Sequence, residues 1–306
     1  VLMKLLEKAD VLVQNLAPGA SARLGLSHEA LKGEHPDLIV CDISGYGQDG
    51  PYRDKKAYDL LIQNEAGMLS VTGTGKEPVK VGISIADIAA GMYAYSNILS
   101  ALLQRGKDGQ GCHIDISMLE SMVEWMGFPM YYAFDNAPGP VPAGASHAAI
   151  YPYGPFEAGD GQSVMLGIQN EREWVSFCNG VLSQPDLATD PRFSSNSQRT
   201  QNRDELKSII HDAFSKFTTT ETIARLDEAS IANATVNDMK DVWGHAQLQA
   251  RDRWTKVQTP VGAIPALLPP GSTNSAGRDG HGAQMGSVPR VGEHNEAIFA
   301  ELGLSN

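Results

Sequence analysis

Two periods of hydrophobic and polar positions run along this chain, and the points where one gives way to the other mark its elements. ADVLVQN (9–15) and PDLIVCDISGYG (36–47) each hold a short β-branched run that ends in polar or glycine residues, the pattern of strands in a parallel sheet. SARLGLSHEALKGEH, between them, is helix-compatible. The order β-α-β predicts an α/β layer with ligands at the carboxyl ends of the strands, where Asn15 and Tyr46 stand. Between Lys80 and Arg105 the only charged residue is Asp87. From Ile88 onward Ile88, Met92, Tyr95, Leu99 and Leu102 fall on one helical stripe, which predicts a helix opening at Ile88 and stopped by the glycines of RGKDGQG (105–111). HIDISMLESMVEWM (113–126) reads as a strand passing into a helix.

After this the pattern changes. DNAPGPVPAGASHAAIYPYGPF (135–156) is rich in Pro, Gly and Ala and reads as a linker. QSVMLGIQNEREWVSFCNGVL then predicts a strand and a helix, and further helical patterns follow near 202–217 and 220–229. The stretch 259–290 is turn-rich and reads as an irregular surface strap, and EHNEAIFAELGL closes the chain as a short amphipathic helix.

Composition narrows the partners. A net charge of −12 with no Lys/Arg stripe argues against nucleic acid. The run 81–104 is long enough to raise a membrane span, but Asp87, Gly82, Ser84, Ser96, Asn97 and Ser100 make it a poor one. Cys41, Cys112 and Cys178 are widely separated, which predicts reduced thiols in a cytoplasmic setting, and no zinc-type spacing is present. The first residues lack a signal-peptide pattern and an initiator Met, as in a chain that begins inside a longer one.

Asp87 is the feature that demands a reason, because an unpaired buried charge costs several kcal/mol even after relaxation. It fits a helix N-cap, with Ser84 as an earlier alternative. It also fits a functional carboxylate held ionised by backbone N–H groups and the helix dipole, able to act as a covalent nucleophile or as a general base. The two readings are compatible. His147, alone in the linker, is a candidate for meeting a substrate carboxylate or is simply an exposed histidine.

Longer stretches carry a resemblance. ADVLVQNLAPGASARLGLSHEALKGEHPDLIVCDISGYGQDGPY, AYDLLIQNEAGMLSVTG and VGISIADIAAGMYAYSNILSALLQRGKDGQGCHIDISMLES, followed by YPYGPFEAGDGQ, NEREWVSFC, DPRF, LPPG and VGEHNEAIFAELGL, resemble the family III CoA-transferases over almost the whole chain. The resemblance implies an α/β fold with a Rossmann-like large domain, a smaller inserted α/β domain and an interlocked homodimer. Residues 1–140 would form the first part of the large domain, 141–240 the linker and small domain, and 241–306 a C-terminal strap and helix returning to the large domain.

The resemblance also implies a function: CoA moves between an acyl-CoA thioester and a carboxylic acid, with Asp87 as nucleophile through an aspartyl anhydride and an aspartyl-CoA intermediate. Coenzyme A would be a co-substrate with no tightly bound cofactor and no metal. Asn15 and Leu16 resemble a strand-end pair that contacts CoA, Arg23 a basic residue near its phosphates, and Tyr46 a tyrosine beside the active site. Related racemases carry a histidine before the aspartate where this chain has Tyr58 and Asp59, so transfer is favoured over α-proton exchange. Family members ordinarily begin with a further Rossmann-like segment that supplies the first strands and part of the CoA site, and by this resemblance the chain lacks that usual N-terminal segment. A non-catalytic, dimerising remnant is the remaining alternative. AIPALLPPG and YPYGPF resemble stretches of members acting on small dicarboxylates.

Overall fold

β1 (Val11–Gln14), β2 (Ile39–Ser44) and β3 (His113–Ser117) form a parallel sheet in that order, with Val13 opposite Cys41 and Cys41 opposite Ile114. This is a computed structural model that describes residues 1–271 and 285–304. Ile39, Val40 and Cys41 are fully buried because β2 is central and covered on both faces. One face meets Leu6, Leu26, Leu31 and Leu38, with Leu31 carried by the short helix α1 (His28–Leu31) that Ser27 caps. The other meets α2 (Asp59–Glu65), α3 (Ile85–Asp108) and α4 (Met118–Trp125).

Helix α3 departs from the expected pattern in two ways. It opens at Ile85 rather than Ile88, so Asp87 is its third residue and not its cap. Ser84 holds the N-cap position, but its side chain makes no capping bond there. Of the expected stripe Ile88, Met92, Tyr95 and Leu99 face outward, 43 to 60% exposed, and only Leu102 packs against the core, while Ala86, Ala89, Ala90 and Ala94 are buried against the sheet. Alanine has no side chain beyond Cβ, so this face can lie close to the strands, whereas the large residues need a thicker layer. Gly109, at a φ of 73°, ends the helix, and the Arg105 side chain holds Asp10 and the Asp37 carbonyl. Gly111 is required next: a Cβ there would stand 2.1 Å from the Leu38 carbonyl oxygen. Among the described residues no helix is long and apolar enough to cross a membrane.

A second core is built by the antiparallel strands β4 (Tyr153–Glu157), β5 (Ser163–Gly167) and β6 (Ala232–Thr235), paired in that order. Phe156, Val164, Leu166, Trp174, Phe177, Phe193, Leu206, Ile210, Phe214 and Leu226 fill it. The charged side chain of Arg199 is buried with them, 1% exposed. Its Nε donates to the Tyr151 carbonyl at 3.0 Å, and its Nη1 donates to the Phe193 carbonyl at 3.0 Å and to Glu171 at 2.7 Å. The guanidinium also lies 4.9 Å from the Trp174 ring centroid.

The chain divides into one compact unit, Leu6–Val236, and another that gathers Val1–Leu5 with Asn237–Asn306. In the latter the expected irregular strap begins instead as an antiparallel hairpin of β7 (Trp254–Thr259) and β8 (Gly262–Leu267). Residues 272–284 of that strap lie outside the described residues. The closing helix α5 (Asn295–Glu301) forms as expected, and Lys4 Nζ donates to the Leu302 carbonyl at 2.9 Å.

Candidate active site

At the carboxyl ends of β1 and β2 the chain leaves a cavity of about 470 Å³. Asn15, Leu16, Ala17 and Pro18 after β1 form one wall, and Ile43, Ser44 and Gly45 at the end of β2 another. Lys55, Ala57, Tyr58 and Asp59 enter from the loop before α2 and its first residue, and Asp87, Ala90 and Gly91 from α3. Gly45 is needed for this closure, since a Cβ there would stand 2.2 Å from the Ala57 Cβ. Asp87 and Gly91 are one helical turn apart, so the glycine leaves the helix surface beside the carboxylate bare.

Asp59 does the capping that Ser84 does not. Its Oδ1 accepts the Ala86 N–H at 2.9 Å, and its Oδ2 accepts from Gln63 Nε2 at 2.8 Å. The fully buried Gln63 in turn accepts the Val81 N–H at 2.9 Å, tying the approach to α3 onto α2. The start of α3 is therefore positioned by a neighbouring helix. That arrangement has an electrostatic consequence. Burial first, and the Asp59 charge second, raise the Asp87 carboxyl above its ordinary value. The dipole at the third position is thus opposed by desolvation and by a second carboxylate, and Asp87 itself is exposed, not the buried charge that its apolar surroundings in the sequence predict.

Asp59→Asn retains an oxygen for the Ala86 N–H and removes the charge. The Asp87 carboxyl is then expected to titrate at lower pH, read from its side-chain carbon resonance by NMR. A midpoint unchanged from the wild type contradicts this electrostatic account.

Among the described residues Lys55 is the only cationic side chain in the cavity wall. Its Nζ pairs with Glu65 at 2.5 Å and lies 4.2 and 5.1 Å from the ring centroids of Tyr52 and Tyr46. The carboxylate of Glu65 holds its ammonium above the usual lysine range.

Of the sequence candidates, Asp87, Asn15 and Leu16 share this cavity. Tyr46 does not line it; its ring packs edge-on against Tyr52, 5.2 Å between centroids, behind Lys55. Arg23 is exposed, with its guanidinium turned toward Gly19, and also stands outside the lining. His147 shapes its own loop: Nδ1 accepts the N–H groups of Ala149 and Ile150 at 3.1 and 3.0 Å, and the ring stacks on Tyr153. The contribution of Lys55 and the capping by Asp59 were not legible in the sequence, where a lysine before a helix and an aspartate in its first turn are ordinary surface features.

Other chemistries find less support. The buried thiols of Cys41 and Cys178 are pushed up to about 11 and about 12 by desolvation, which removes them as nucleophiles. Among the described residues no group of three His, Cys, Asp or Glu side chains stands where it could hold a metal ion.

Fold and cavity together define an α/β protein that presents a carboxylate from the first turn of a long helix to a strand-end cavity. The chain belongs to CoA-transferase family III, whose model matches residues 1–295. It is 32% identical over 305 residues to an acyl-CoA transferase of Fusarium pseudograminearum, covering 99% of this chain and 66% of that protein. It is 29% identical over 302 residues to a succinate–glutarate CoA-transferase of Agrobacterium fabrum, covering 98% of this chain and 74% of that protein. The chain thus spans only part of the length of the relatives it matches. A crystal structure of a CaiB/BaiF family protein from Brucella suis superposes with a TM-score of 0.83 at 30% identity, over 98% of this chain and 77% of that one.

Proposed function

We propose that this chain carries the nucleophile of an acyl-CoA:carboxylate CoA-transferase, and that the nucleophile is Asp87. The observation that carries the reading is the meeting of Asp87 with Asn15 and Leu16 around one cavity at the strand ends. The Asp87 carboxylate attacks the thioester carbonyl of the donor, the carbon–sulfur bond breaks, and CoA leaves as thiolate from a mixed anhydride. The thiolate then attacks the aspartyl carbonyl, releasing the donor carboxylate and leaving an aspartyl-CoA thioester. The acceptor carboxylate attacks that thioester and expels the thiolate again. Attack of the thiolate on the acceptor's acyl carbonyl frees Asp87 and yields the new acyl-CoA. No proton needs to move, so the raised Asp87 requires only to be ionised when the donor arrives.

The substrates we propose are small dicarboxylates and their CoA thioesters. A second carboxylate can meet Lys55 in the wall in exchange for its Glu65 partner, and the name of the Agrobacterium relative points to the same chemical class. CoA is a co-substrate in this reading. Two-base α-proton exchange is less well served, because the other titratable groups in the wall are Tyr58, a lysine already paired with Glu65, and Asp59, whose oxygens accept from the Ala86 N–H and Gln63. Three cysteines free of disulfides support a reducing, cytoplasmic setting.

Incubation with a panel of acyl-CoA donors and hydroxylamine, followed by mass spectrometry, tests the reading. An aspartyl hydroxamate at Asp87 is expected, and the donor that produces it identifies the substrate. CoA binding without labelling at Asp87 by any donor removes the nucleophile assignment.

A homodimer is part of the proposal. The outward stripe of Ile88, Met92, Tyr95 and Leu99, with exposed Trp125, Phe128, Tyr131 and Phe134, is more apolar surface than a solvated helix face carries. Sedimentation is expected to give twice the monomer mass, falling to the monomer in a Tyr95→Glu, Leu99→Lys variant. A monomeric wild type contradicts it.

A further inference from the structure

Asp42, in the middle of β2, is 4% exposed and points to the sheet face opposite α3. Both its oxygens are used. Gln14 Nε2 donates to Oδ1 at 2.7 Å, and His113 Nε2 stands 2.9 Å from Oδ2. Gln14, the last residue of β1, then turns its other end forward: its Oε1 accepts the Leu16 N–H at 2.7 Å. Leu16 and its neighbours Asn15, Ala17 and Pro18 are one wall of the Asp87 cavity.

The chemistry of these groups leaves one arrangement. An ionised carboxylate only accepts hydrogen bonds, a backbone N–H only donates, and a carboxamide has one end of each kind. Gln14 satisfies Asp42 and Leu16 together in a single orientation, and rotating its amide by half a turn breaks both bonds. We infer that Asp42 is a positioning residue for the cavity: from the far face of the sheet it fixes the Gln14 carboxamide, and through it the Leu16 amide and the loop that lines the ligand site. His113 completes the carboxylate's pairing from β3, so the device spans all three strands. Because Asp42 does not line the cavity, its effect reaches the ligand only through the geometry of residues 15–18. The inference rests on the CoA-transferase reading for the identity of the ligand, but not for the positioning itself.

Gln14→Glu sets a carboxylate against Asp42 while retaining an acceptor for Leu16. Amide hydrogen exchange at Leu16 is expected to speed up, and CoA to bind more weakly by roughly tenfold, the effect of losing one charge-assisted hydrogen bond. Combining Gln14→Glu with Asp42→Asn lets carboxylate and amide trade places. The carboxamide at position 42 then donates to the carboxylate at position 14, so the double variant is expected to recover Leu16 protection and CoA affinity to within about twofold. Should Gln14→Glu fail to fold, Gln14→Met removes the acceptor without a second charge and is expected to show the same loss at Leu16. Asp42→Asn alone keeps an oxygen for Gln14 and is expected to leave Leu16 protected.

Wild-type exchange at Leu16 in folded Gln14→Glu and Gln14→Met proteins overturns the inference. So does a folded double variant that recovers nothing. If no protein, the wild type included, binds CoA, the ligand assignment fails while the exchange data still decide the positioning role.

Discussion

Asp87→Asn is expected to lower CoA transfer by a factor of about 10⁴ or more, measured as exchange of CoA between a labelled donor thioester and an acceptor carboxylate. An amide cannot form the anhydride, and among the described residues no other side chain in the cavity wall is placed by its chemistry to replace it: Asp59 is bonded to Ala86 and Gln63, and Lys55 to Glu65. The same substitution is expected to raise the midpoint of thermal unfolding slightly. The sign follows from linkage. A carboxyl whose value is higher folded than unfolded binds its proton better in the folded state, so its ionised form opposes folding at neutral pH. That opposition fades as pH falls through the folded value and is gone below the unfolded one. Removing the charge removes the penalty at neutral pH, which makes loss of transfer with gain of stability the signature of a functional carboxylate. A variant that loses both transfer and stability would point to a structural Asp87 instead.

Arg199→Met is expected to destabilise the second core by about 3–5 kcal/mol, read from denaturant midpoints, because it strands the buried carbonyls of Tyr151 and Phe193 and breaks the Glu171 pair. Removing the other partner is a much smaller insult. The Glu171 side chain is 55% exposed, so in Glu171→Gln the lost charge is largely screened and the expected change is about 1 kcal/mol or less. The Arg199 hydrogen bonds hold the Glu171 carboxyl below its ordinary value, so this contribution is present above the unfolded value and is lost as pH falls through the folded one. Equal costs for the two substitutions would contradict the assignment of Arg199 as the buried anchor and Glu171 as its solvent-side partner.

Several residues of the cavity wall were already legible in the sequence and little of its geometry was. The β-branched runs ending at Gln14 and Ser44 announced strands, and strand ends are where parallel sheets bind ligands, so Asn15 and Leu16 could be named in advance. Asp87 stood out because it was the one charge in a long apolar run. Its place within the helix did not stand out, because local capping preferences favoured Ser84 or Asp87 itself. The cap actually comes from Asp59, on another helix, and a contact between residues 27 positions apart leaves no mark in a local pattern. The orientation of α3 was hidden for a related reason. Periodicity locates an apolar stripe but cannot say which of two such stripes meets the sheet, and here close packing selected the alanines while the larger residues faced out.

By itself, then, the sequence determined the α/β class, the strands that end at the cavity and the one carboxylate in its apolar run that the structure places in the cavity wall, since each of these is written in local periodicity or in a single conspicuous charge. The tertiary structure alone decided that Asp59 caps the helix and raises Asp87, that Lys55 joins the wall while Arg23 and Tyr46 do not, and that Asp42 reaches the cavity loop through Gln14. Those outcomes depend on distances between residues far apart in the chain, and packing, not propensity, sets them.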